Sequence, residues 1–151
     1  MSYKCTDRLN ADENGNITWK NQDKVFLSKN LAYRDQFVKK IVSGATKSKT
    51  NKKTYIDREG RPFVLKMTND YIRQNPTTFK KGNFFLYRDQ HKKLKTEKGY
   101  YVFIVFKTPS GYDQMKIDSD AFFVREHMEC ICWQGVQHLA EERGTVEAFE
   151  E

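Results

Sequence analysis

The chain has 151 residues, enough for one domain with its own core and no need of disulfides or a structural metal. Hydrophobic residues make up 38% of it and aromatic residues 14%, a share of large rings that argues against a disordered chain. The net charge of +7 argues against an acidic mimic of nucleic acid and favours polyanionic partners, and no window approaches the roughly 18 apolar residues of a membrane span.

Charge is spread unevenly. Residues 140–151 hold Glu141, Glu142, Glu147, Glu150 and Glu151 against one base, Arg143, so residues 1–139 keep 26 bases and 15 acids, a net +11. The expected organisation is a single basic domain over 1–139 followed by an acidic C-terminal tail over 140–151. The opening MSYKCTDRLNADENG has no apolar stretch of the kind a secretory signal needs, and Cys5, Cys130 and Cys132 follow no disulfide framework. Both observations point to a cytoplasmic protein.

In chain order, an Asn14-Gly15 turn signal precedes two short strand-like pieces, Ile17–Trp19 and Lys24–Leu27, which predict an N-terminal hairpin. Ser28 is a suitable N-cap for a helix in which Leu31, Val38, Ile41 and Val42 recur at helical spacing, flanked by Tyr33 and Phe37 and closed at Gly44. Residues 45–53, ATKSKTNKK, read as a basic loop. Two strands follow, Thr54–Asp57 and Pro62–Met67, joined by Arg58–Arg61 as a hairpin. Residues 68–82 look irregular, with one helical turn at Asp70–Arg73, and Asn83 is expected to cap a second helix that runs to about Lys98 and closes at Gly99. Tyr100–Phe106 is apolar throughout, as in a central strand covered on both faces. After a turn at Pro109-Ser110-Gly111, Tyr112–Ile117 pairs back as a strand, and Asp118–Asp120 caps a short helix over Ala121–His127. Glu129–Trp133 alternates as a last strand, with a polar helix or tail beyond it. The predicted fold is a mixed α/β single domain, with a central mixed sheet of roughly four to six strands flanked by two main helices.

One stretch carries chemistry. A hairpin bears Asp57 on one strand and Lys66 on the next; a helix with Gln90 and then a buried strand follow. This order resembles the PD-(D/E)xK nuclease superfamily, and within it the Holliday-junction resolvases most. Those enzymes share a helix, a strand bearing Asp, a strand ending in Glu-x-Lys, a helix often bearing Gln, and a central apolar strand. The resemblance implies a Mg²⁺-dependent phosphodiesterase, an endonuclease. Asp57 and Asp89 would hold the metal, Lys66 would orient or activate the attacking water, and Gln90 would position the reacting groups. Val64 stands where the family has Glu, two residues before Lys66, so the second acid is expected from Asp89 on the following helix or from Glu59 in the turn. An ordinary hairpin with a surface Asp and a snorkelling Lys, or a nuclease fold that only binds, stays open beside this reading.

Basic residues surround that stretch: Lys39 and Lys40, then Lys47, Lys49, Lys52 and Lys53, then Lys80 and Lys81, then Lys92 and Lys93 with Lys95 and Lys98. Interleaved with Tyr55 and Tyr87, and with Tyr33, Tyr71 and Tyr112, they are suited to phosphates and bases of DNA or RNA. His127, Cys130, Cys132 and His138 are of zinc-ligand type, but Cys-x-Cys is not the usual knuckle, and core packing of the cysteines beside Trp133 or Val136 is expected. There is no glycine-rich phosphate loop, nucleophile elbow or HExxH. A second reading is a non-catalytic interaction protein, an inhibitor or accessory factor of a phage or mobile element, acting on a nucleic-acid-processing partner. Homodimerisation and a protein partner are both open.

Overall fold

The computed structural model describes residues 6–7, 31–49, 53–75, 78–107 and 111–143. The expected N-terminal hairpin, the Ser28 cap of the first helix, Lys52, the turn at Pro109–Ser110 and the last eight tail positions, 144–151, lie outside them.

After a short strand, β1 (Thr6–Asp7), the first helix α1 (Leu31–Ile41) buries Val38 and Ile41, with Val42 just past its end, at the spacing the sequence predicts. Gly44 follows at φ +80°, a left-handed turn that a side chain would resist. The chain then enters β2 (Thr46–Lys47), β3 (Thr54–Ile56) and β4 (Pro62–Asn69), which form an antiparallel meander. Strand β8 (Tyr100–Phe106) runs parallel to β4, and β9 (Tyr112–Asp118) returns antiparallel to β8. The five-stranded mixed sheet has the order β2-β3-β4-β8-β9. Every residue of β8 is buried because helices or strands cover both faces.

Alternation along the strands separates two cores. On one face Tyr55, Phe63, Tyr100, Val102, Ile104 and Phe106 meet Val38, Ile41 and Val42 of α1. Tyr55, Phe63 and Tyr100 stack in series across three strands, with centroids 5.6 and 5.3 Å apart. On the other face Val64, Tyr101, Phe103, Val105 and Ile117 meet Leu94 of α2 (Arg88–Thr96) and Trp133, Val136 and Ala140 of α3 (Trp133–Arg143). The result is a single α/β domain with helices on both sides of the sheet.

Three expectations are corrected. Residues 68–82 are not irregular: β4 runs on to Asn69, and β5 (Tyr71–Asn75) and β6 (Thr78–Lys81) form an antiparallel pair joined by β1. The second helix does not begin at Asn83. Residues 83–87 are strand β7 (Asn83–Tyr87), paired antiparallel with β10 (Met128–Cys132), and α2 starts at Arg88. Phe84 and Leu86 point into the core while Phe85 and Tyr87 stay exposed, a period of two that overrides the helical reading. The helix expected over Ala121–His127 shrinks to one 3₁₀ turn, Ser119–Ala121. Gly82 makes the sharp passage from β6 to β7 possible: a Cβ there would collide with the Asn69 carbonyl oxygen and the Thr68 hydroxyl. Trp133 seals the same corner, donating from Nε1 to the Asp70 carbonyl at 2.7 Å. No helix among the described residues is long and apolar enough to cross a membrane.

Candidate functional site at the Lys66–Gln90 contact

The β3 ladder meets β4 only as far as Thr54 opposite Val64, so β4 outruns it, and the next residue on Val64's face is Lys66. There the first turn of α2 crosses above, and Lys66 Nζ donates to Gln90 Oε1 at 2.9 Å. The Tyr87 ring, at the end of β7, lies 5.0 Å from the same nitrogen. Arg34 of α1 and Lys53 complete the pocket with Tyr55, over an apolar floor of Val64 and Leu65. Burial, and then the neighbouring charge of Lys53, push the Lys66 ammonium down to about 8. The Nε of Arg34 is buried and has no hydrogen-bond partner among the described residues.

An acid stands beside the pocket, bonded to one of its lining residues. Asp35 accepts from the Tyr55 hydroxyl at 2.7 Å and lies 3.8 Å from Lys47. Burial and that hydrogen bond push the Tyr55 phenol up to about 12. Among the described residues, no carboxylate lines the pocket itself.

Gln90 is held in place by its neighbour. His91 is buried and neutral, because its pKa is driven down chiefly by desolvation. A carbonyl can only accept, so Nε2–H donates to Phe122 O at 3.2 Å and Nδ1 accepts from the Tyr101 hydroxyl at 2.8 Å. The two rings are stacked, 5.8 Å apart. This fixes the rotation of α2 over the sheet, and with it the direction of Gln90.

Asp57 does not join this group. It lies level with Arg61, five residues before Lys66 on the partner strand, about 17 Å along the sheet. It also falls on the opposite face, in step with Tyr55, where the Tyr100 hydroxyl donates to Oδ2 at 2.8 Å. Its Oδ1 accepts from the backbone N–H groups of Glu59 and Arg61 at 2.9 and 2.8 Å. The two backbone bonds close the hairpin turn, the Tyr100 bond ties it to β8, and Arg61 ties it to Asp118 at 2.7 Å. Glu59 and Asp89 are exposed. A divalent hard cation needs carboxylate oxygens gathered around it. On its own side of the sheet Lys66 has Phe103 directly across on β8, Val64 two residues before it, and Thr54 opposite Val64, none of them an acid. No group of three or more His, Cys, Asp or Glu among the described residues is placed to hold a metal. This donor set does not fit Mg²⁺.

Of the lysines read from sequence, Lys39, Lys40, Lys47, Lys49, Lys53, Lys92 and Lys93 are exposed and Lys80 is half-buried. Lys81 is 5% exposed and Tyr55 3%, so neither presents a face to a ligand in solvent, whereas Tyr87 is 42% exposed. The cysteines differ from expectation too: Cys132 packs against the core but Cys130 is exposed. His138 pairs with Glu141 on α3 at 3.9 Å. Arg34 was not singled out from sequence, although its spacing four residues before Val38 places it on the buried side of α1.

A helix, an antiparallel meander and a parallel strand reached through a second helix, with a lysine on the third strand beside a glutamine of that helix, are arranged as in an α/β domain of the nuclease type. The chain matches the model of the PD-(D/E)XK nuclease superfamily domain over residues 12–149 and belongs to that superfamily. The match does not single out the Holliday-junction resolvases within it. No curated protein and no solved structure matches the chain.

Proposed function

We propose that this domain binds nucleic acid by seating a backbone phosphate against Arg34, Lys53, Lys66 and Gln90, without a divalent metal. The observation that carries the reading is the convergence of three cations on a pocket that, among the described residues, no carboxylate lines. A phosphate oxygen brings negative charge to these cations and supplies an acceptor for the buried Arg34 Nε–H. The superfamily implies a nucleic-acid substrate. Val64 and Thr54 in place of acids favour holding the phosphodiester over cutting it, which is the non-catalytic version of the same fold.

The test is fluorescence anisotropy with labelled DNA and RNA oligonucleotides over a salt series in EDTA, alongside a cleavage assay with Mg²⁺ or Mn²⁺. Binding is expected in EDTA, with a log–log salt slope of about −2 on single strands for three phosphate-neutralising cations. Lys66→Met should weaken it at least about tenfold. Equal binding by Lys66→Met, or metal-dependent cleavage by wild type that Asp57→Asn abolishes, overturns the proposal.

A further inference from the structure

The β7–β10 ribbon has an outer face that the pocket touches only at Tyr87. Phe84 and Leu86 point inward; Phe85 and Tyr87 point outward, and both are 42% exposed. The register sets Tyr87 opposite Met128 and Phe85 opposite Cys130, so these four share the outer face. Met128 is 39% exposed and Cys130 is also exposed. Two aromatic residues and a methionine on one solvent-facing patch leave apolar surface in water, a cost that a covering partner would relieve. Tyr87 belongs to both features: it ends this row and lies 5.0 Å from Lys66 Nζ. Arg88 follows it directly.

We infer that the ligand is unpaired nucleic acid: a backbone phosphate occupies the Lys66 pocket while the adjoining bases stack on the Phe85–Tyr87–Met128 face. The inference rests on the phosphate-binding reading above and names the form of nucleic acid it takes. Duplex bases are already stacked on one another and offer only their edges, whereas an unpaired base offers a flat face to an aromatic ring. Phe85 and Tyr87 are two residues apart on one face of a strand, about 6.8 Å, which is close to two base-stacking steps of about 3.4 Å each. A base can therefore be held between the two side chains with its own phosphate directed to Lys66. A polyanion is favoured over a protein segment as the occupant because the patch carries no charge of its own and runs straight into the cationic pocket.

The experiment compares Phe85→Ala, Phe85→Trp and Lys66→Met on single-stranded and duplex oligonucleotides of one sequence. Phe85 is exposed, so Phe85→Ala should fold as wild type, checked by its melting curve. It is expected to lose about tenfold in single-strand affinity with duplex affinity and salt slope unchanged. Phe85→Trp should restore affinity and show fluorescence quenching on single strands but not on duplex. Lys66→Met should weaken both forms and make the salt slope shallower by about one unit. Wild-type single-strand affinity in Phe85→Ala overturns the stacking face while leaving phosphate binding intact. A dimer that Phe85→Ala makes monomeric, with single-strand affinity unchanged, also overturns it, because a second copy is then the occupant. Failure of wild type to bind any oligonucleotide removes both readings.

Discussion

Lys66 Nζ and Gln90 Oε1 meet at 2.9 Å, joining the strand that leads out of the β-hairpin to the helix that crosses over it. The bond satisfies one of three ammonium protons with a neutral acceptor, so it directs the charge without cancelling it. With Arg34 and Lys53 on the same pocket, the arrangement concentrates positive potential where the sheet edge opens.

The depressed Lys66 pKa sets a pH dependence. Raised pH removes the ammonium as it passes about 8, and a bound phosphate holds the proton on. Oligonucleotide affinity at fixed ionic strength should therefore fall between pH 7 and pH 9. Lys66→Arg, charged throughout that range, should flatten the profile; anisotropy titrations across the range check it.

Asp57 acts on the turn. Asp57→Ala removes an acceptor used by Glu59 N–H, Arg61 N–H and the Tyr100 hydroxyl, and should lower stability by about 2 kcal/mol in urea titrations. Oligonucleotide affinity should remain within about twofold of wild type, because the lost bonds lie on the other face of the sheet.

His91 makes the domain acid-sensitive. Its folded pKa is lowered, so below pH 6.5 the unfolded chain takes up a proton that the folded state resists, and stability falls as pH drops through that range. His91→Gln should be less stable than wild type at pH 7.5 but lose less on going to pH 5. Paired urea midpoints at the two pH values measure the difference.

Gly82→Ala should cost about 3 kcal/mol, since the new methyl meets the fixed Asn69 carbonyl in a corner that Trp133 closes. Gly111→Ala, at φ +91° but with open space around it, should cost only about 1 kcal/mol. Thermal melts of the two variants rank the effects.

Some of this was legible in the linear chain. Seven consecutive apolar residues rich in β-branched and aromatic side chains, Tyr100–Phe106, read as a strand covered on both faces, and they form one. The order of the hairpin, Lys66, Gln90 and that strand carries the superfamily, and the basic composition carries the sign of the ligand. The strand at residues 83–87 was harder to read, because Phe84-Phe85-Leu86-Tyr87 is apolar at every position. Only pairing with β10, some forty residues on, decides which two rings face out. Asp57 illustrates the same limit. Its distance from Lys66 in sequence suits a shared site, but side chains alternate along a strand, so the rung at which Thr54 meets Val64 decides its face. The sequence by itself determined the central strand, the family and the charge. The tertiary structure alone decided that Lys66 and Gln90 share a cationic pocket while Asp57 is held in a turn on the opposite face, because strand register is a non-local choice that composition and local spacing do not encode.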